Sequence, residues 1–168
     1  IMIFLFHFKA SLLVSLTLPL GVGISFIFMH LLKIDSNIMS LSGLVIAIGS
    51  MVDVGIIMTE NIYSHLSLLK QKVSPIERIE IIKNSAKEIG PAILTAVLTT
   101  IITFIPVFAL EGAEGKLFVP LAWTKTLAML GAVVVAIIFI PVFSVFMLRG
   151  ELKPIKNNIV SEKIIQIY

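Results

Sequence analysis

Four stretches of this 168-residue chain carry almost no charge: Ala10 to Leu32, Ile38 to Met58 broken only by Asp53, Ile89 to Leu110, and Leu117 to Leu148 with Lys125 inside it. Each is near or above the roughly 20 residues that an α-helix needs to cross the hydrocarbon core of a bilayer. A backbone in lipid has no water to bond, so a spanning segment must satisfy its own amides, as a helix does. The expected fold is therefore all-α, a polytopic membrane helix bundle. Composition agrees, with 58% hydrophobic and 14% charged residues against about 25% charged in soluble domains.

On this reading residues 1–150 form the transmembrane part, with Ile1 to Phe6 as the tail of a helix cut off at the start and spans at about 10–32, 38–60, 89–110 and 117–148. The first eight residues have no charged n-region and no initiator methionine, so no signal peptide is visible. The chain reads as an excerpt from a longer one.

If the spans alternate, ten basic residues fall on one side (Lys9, Lys70, Lys72, Arg78, Lys83, Lys87, Arg149, Lys153, Lys156 and Lys163) and two on the other, Lys33 and Lys116. That asymmetry places loop 64–88 and residues 151–168 in the cytoplasm. It also accounts for the net charge of +3 without a nucleic-acid partner; the expected partner is membrane lipid. Within the loop, Ser74-Pro75 followed by Glu77 reads as a helix start with proline at the first position and an acid in the first turn. Ile76, Ile79 and Ile82 would give that helix an apolar face lying on the membrane, a partner-docking face being the alternative. Similar spacing at Ile159, Ile164 and Ile167 marks 151–168 as an interfacial connector.

Asp53 is the strongest functional signal. A carboxylate at the centre of a membrane helix costs about 2.5–3.5 kcal/mol on insertion scales, so such acids usually belong to ion paths or proton relays. Seven residues further, Glu60 lies on nearly the same helix face about 10 Å away, close to the polar boundary. One hydrated groove could serve both. Thr95, Thr99 and Thr103 form a hydroxyl stripe that either lines a hydrated path or bonds to helix carbonyls. Lys125 lies about two turns inside the last span, where its stem can carry the ammonium outward. Pro19, Pro106 and Pro141 read as kinks. Gly43, Gly49 and Gly55 recur every six residues and would allow close helix approach, although six is not the four-residue dimer spacing.

Chemistry narrows further. There is no cysteine, hence no thiolate site, and methionine is the remaining soft ligand. No phosphate-binding glycine loop or His-Glu-x-x-His motif occurs, which removes support for ATP-driven pumping and metalloprotease activity. An intramembrane aspartyl protease would need a second carboxylate on another helix, and the other full spans have none.

The run from Leu44 through Asp53 to Asn61 resembles the fourth transmembrane helix of resistance-nodulation-division (RND) exporters, in particular their heavy-metal branch. Residues Leu110 to Thr126, LEGAEGKLFVPLAWTKT, resemble the loop and sixth-helix start of the same branch, especially its copper- and silver-exporting members. Glu88-Ile-Gly90-Pro91 lies between the two in the right order. The resemblance covers essentially the whole chain, from the end of helix 2 through helix 6. It implies a homotrimeric pump of the bacterial inner membrane, working with a periplasmic adaptor and an outer-membrane channel, with Asp53 as its proton-carrying acid. It further implies Met39, Met51 and Met129 as stepping stones for Cu(I) or Ag(I) as cargo, with no resident cofactor. Divalent export of zinc, cobalt, cadmium or nickel is the alternative within the branch, whose divalent relatives carry extra acids where this chain has Leu44 and Val54. A proton-driven relative moving lipids or proteins is disfavoured by the Glu111 to Thr126 match. The chain is expected to be a part of a secondary transporter, not an enzyme, and not to transport alone.

Overall fold

A computed structural model describes residues 8–69 and 74–148, and these are helical almost throughout. Helix α1 is Phe8–Leu31, α2 Ile38–Ser67 and α3 Pro75–Thr103; a 3-10 segment, Ile105–Ala109, comes next, then α4, Gly112–Val134, a π-helical turn, Val135–Phe139, and α5, Ile140–Met147. Among the described residues, four helical stretches are long and apolar enough to span a membrane: Phe8–Leu31, Ile38–Ser67, Pro75–Ala109 and Gly112–Met147. The protein is thus an all-α, multi-pass membrane bundle. The expectations for residues 1–6 and 151–168 lie outside the described residues.

The starts of α2 and α3 have local causes. Asn37 caps α2 through its side-chain oxygen, which accepts from the Ser40 amide at 2.9 Å, while the Ser40 hydroxyl donates to the Asp35 carbonyl at 2.7 Å. Ser74 and Glu77 form a reciprocal capping box with Pro75 in the first turn of α3, satisfying amides that would otherwise lack partners. This is the start read from the sequence, but the helix beyond it departs from that reading. No separate surface helix forms: α3 runs unbroken from Pro75 through Gly90-Pro91 to Thr103, and α2 extends to Ser67. Pro91 withholds a donor from the carbonyl of Lys87, four residues back near the polar end, where water can replace it. Of the three isoleucines, Ile82 is buried in the core whereas Ile76 and Ile79 are exposed.

Contacts at both ends fix the antiparallel sense of the bundle. The Arg78 guanidinium donates to the Leu148 carbonyl at the lysine-rich end. At the other end Phe108 meets Trp123 edge to face, centroids 5.0 Å apart. Helices α2 and α4 form the centre, and α3 is peripheral, with only 11% of its apolar window buried. The main core joins Ala10 and Leu13 of α1, Val54, Met58 and Ile62 of α2, Ile93 and Val97 of α3, and Met129 and Val133 of α4. A second cluster packs Leu44, Ala47 and Met51 against Ala128 and Ala132.

The three glycines of α2 point three ways, since six residues turn the helix by about 240°. A Cβ on Gly43 would overlap the Leu121 carbonyl of α4, and one on Gly55 would press on Thr17 of α1 at 2.9 Å. At Gly49 it would meet nothing within 4 Å. The close approach expected of small residues is realised at two positions, against two different helices, and the third opens outward. Pro19 lies inside α1, and Pro106 sits in the 3-10 segment. Pro141 comes just after the π turn, in which the Ile140 amide bonds back to the Val135 carbonyl five residues away.

Candidate functional site

Asp53 lies near the middle of α2 on a face that the other described helices leave uncovered. Its neighbours one turn away, Gly49 and Ile57, are exposed too, as is Glu60. The burial pattern explains this placement: Met51, Val54, Gly55, Met58 and Thr59 face inward, so residue 53 falls between the packed positions and points away from them. Apart from its neighbours along the helix, the carboxylate has no salt bridge or hydrogen bond among the described residues.

Toward the lysine-rich end the face becomes polar. Glu60 borders a cavity of about 300 Å³ together with Ile57, Asn61, Ser64 and Ile89. Asn61 Nδ2 donates to the Ser85 carbonyl of α3 at 2.9 Å. His65 Nδ1 lies 3.0 Å from the Asn61 carbonyl, and Nε2 lies 3.3 Å from the Glu88 carboxylate of α3. These contacts tie α2 to α3 where both leave the apolar layer. Glu60 follows Asp53 on nearly the same edge of α2, whereas His65 is turned about 120° from Asp53 toward α3, so the His65–Glu88 contact lies beside that edge and not on it. Neither His65 nor Glu88 was singled out from sequence; the separation of 23 residues hides a pairing that only the antiparallel helices create.

The three methionines occupy different environments. Met51 is buried, its methyl group seated in the space that a Cβ on Gly21 would take. Met129 is buried in the main core beside Val54 and Met58, and Met39 is half-buried in the first turn of α2. Met39 and Met51, twelve residues apart, are separated by about 18 Å along the helix axis. They do not converge on one ion. Met29 and Met58 are buried to the same degree, so burial alone does not single out the three. Among the described residues there is no group of three or more His, Asp or Glu side chains able to hold a metal.

The Thr hydroxyls bond within their own helix: Thr95 to the Pro91 carbonyl and Thr99 to the Thr95 carbonyl, both at 2.8 Å, and Thr103 to the Thr100 carbonyl at 2.6 Å. All three residues are on the exposed side of α3. Lys125 Nζ stands 4.1 Å from the centroid of the Phe104 ring, so the ammonium rests on an aromatic face at the end of α3. The hydroxyls of Ser11, Ser25, Thr59 and Thr126 are buried with no hydrogen-bond partner. Such groups are favourable positions for internal water, and nothing in sequence separates them from serines and threonines that bond back to their own helix.

The family model described as the AcrB/AcrD/AcrF family matches residues 1–168. The chain is 40% identical over 171 aligned residues to the cation efflux system protein CusA of Escherichia coli K12, covering 99% of this chain and 16% of that protein. It is equally similar, at 40% over the same shares, to the putative cation efflux system protein SilA of Salmonella typhimurium. Identity to the cobalt-zinc-cadmium resistance protein CzcA of Cupriavidus metallidurans is 32%, over 93% of this chain and 15% of that one. The chain thus spans about one sixth of the length of these relatives. With an intramembrane acid on its second helix and a family match along its whole length, the chain belongs to the AcrB/AcrD/AcrF family, the resistance-nodulation-division transporters.

Proposed function

We propose that this chain is a membrane-embedded part of a proton-driven pump that exports heavy-metal cations, Cu(I) or Ag(I), across the bacterial inner membrane by proton antiport. The observation that carries the reading is Asp53, a carboxylate at mid-depth on the one face of α2 that the described helices leave open. A charge held there is unfavourable in lipid, so the acid must be covered by further protein or by water, and it gains or loses a proton as that cover changes. Glu60 and the polar cavity beside it offer an exit toward the lysine-rich side.

Ligand softness supports the choice of monovalent metal. Thioethers favour Cu(I) and Ag(I) over zinc or cobalt; Met39, Met51 and Met129 supply them, and the cation efflux relatives share 40% identity against 32% for the cobalt-zinc-cadmium resistance protein. The working assembly is a homotrimer with a periplasmic adaptor and an outer-membrane channel, as the family resemblance implies. It is a secondary transporter, and the metal is cargo.

The test is Asp53→Asn in the full-length protein, which keeps size and hydrogen bonding but abolishes titration. Metal tolerance in a pump-deleted host and proton-coupled flux in proteoliposomes should both collapse while insertion is unchanged. Glu60→Gln should be much milder. Normal flux in Asp53→Asn would overturn the proposal.

A further inference from the structure

Outside the α2 face, a groove of about 550 Å³ lies between α3 on one side and the π turn with α5 on the other. Its walls are Ile79, Ile82 and Leu94 of α3 on one side and Ile137 of the π turn with Val142 and Val145 of α5 on the other, almost wholly apolar. The groove exists because small side chains line its floor. Ala86 and Gly90 lie one turn apart on α3, and a Cβ built on Gly90 would meet nothing within 4 Å.

Lys83 and Lys87 line the same groove, one turn apart on α3. Their Cβ atoms are therefore about 5–6 Å apart, a like-charge pair that repels by a few tenths of a kcal/mol on a helix surface. Among the described residues neither is in an ion pair, the nearby Glu88 being engaged by His65. Arg78, one turn before Ile82, adds a third cation near the same end of α3. The groove thus combines an apolar trough at membrane depth with two cations at the lysine-rich end.

We propose that this groove binds an anionic phospholipid from the leaflet on the lysine-rich side, with the headgroup phosphate between Lys83 and Lys87 and an acyl chain along Gly90, Leu94, Ile137 and Val142. Basic pockets between transmembrane helices recognise acidic headgroups by this combination. The charge pair selects an anion. The trough selects one with a long apolar tail, which inorganic phosphate lacks. Volume fits as well, inside the roughly 300–1,000 Å³ range of small-molecule sites.

The test is native mass spectrometry of the full-length protein that carries this chain, delipidated and titrated with phosphatidylglycerol or phosphatidylethanolamine. Wild-type protein should retain phosphatidylglycerol preferentially. At about fivefold per lysine, Lys83→Gln with Lys87→Gln should weaken that retention on the order of 30-fold and leave phosphatidylethanolamine unchanged. Gly90→Leu, whose Cβ meets nothing within 4 Å and whose side chain would occupy the trough, should abolish retention with both lysines intact. Lys33→Gln with Lys116→Gln, on the opposite side, should have no effect, and unchanged thermal midpoints would show that all variants fold. Inorganic phosphate in excess should not displace the lipid. Equal retention of the two lipids, an unaltered double-lysine variant, or retention in Gly90→Leu would each overturn the proposal, as would displacement by phosphate or absence of any lipid adduct on the wild type.

Discussion

Replacing Gly43 and Gly49 by alanine, one at a time, tests the central helix pair. Both are glycines inside α2, so both substitutions gain the same intrinsic helix preference, up to about 1 kcal/mol, and that contribution cancels in the comparison. The surroundings do not cancel. At position 43 the new methyl group overlaps the Leu121 carbonyl and lies 3.1 Å from the Leu121 Cα and carbonyl carbon, all backbone atoms that cannot rotate aside. At position 49 it touches nothing within 4 Å. Overpacking against fixed atoms costs about 1–3 kcal/mol, so the two variants should differ in unfolding free energy by that amount, Gly43→Ala being the less stable. Reversible unfolding of the purified protein in mixed micelles, with increasing denaturing detergent, measures the difference. If both variants unfold together within about 0.5 kcal/mol, α2 and α4 do not cross at Gly43. If Gly49→Ala is the more damaging, further protein packs closely against the face that carries Asp53, and water does not cover it.

Changing Met39, Met51 and Met129 together to isoleucine in the full-length protein removes three thioethers at nearly constant volume, so stability should change by less than about 1.5 kcal/mol per site. Tolerance to silver and copper should fall severalfold or more with little change toward zinc, as read by growth of a pump-deleted host; silver tolerance equal to the parent's would reduce the methionines to packing. Lys125→Met should cost about 0.5–2 kcal/mol by removing the ammonium from the Phe104 ring, and Phe104→Leu should lose the same contact. A double variant no worse than the more damaging single one supports the pairing; fully additive losses in unfolding measurements refute it.

The spans were legible because lipid imposes one requirement on the whole segment, and Leu, Ile, Val and Phe answer it without regard to neighbours. The start of α3 was legible at single-residue detail, since Ser74, Pro75 and Glu77 act within one turn. Its continuity through Gly90-Pro91 was not. Local rules score that pair as a boundary, while packing of Ile82, Ile93 and Val97 into one core keeps the helix continuous through it. Gly43, Gly49 and Gly55 show the same limit: their spacing fixes relative angles, but only the positions of α1 and α4 decide which glycine meets a backbone. Within the site, Asp53 declared itself by its apolar surroundings. The His65–Glu88 contact and the groove beside Lys83 did not, because each joins residues from different helices.

The π turn at Val135–Phe139 gives the last span the mechanics of a jointed rod. A regular helix of 36 residues would carry torque and axial load from Gly112 to Met147 as a single stiff member. Here the turn widens where the Ile140 amide reaches back to Val135, and Pro141 removes one more backbone donor directly after it. Compliance is concentrated at that level. The segment with Lys125 and Met129 and the segment with Val142 and Val145 become two levers on a common pivot. A load applied to the groove wall can tilt the short arm while the long arm stays seated against α2.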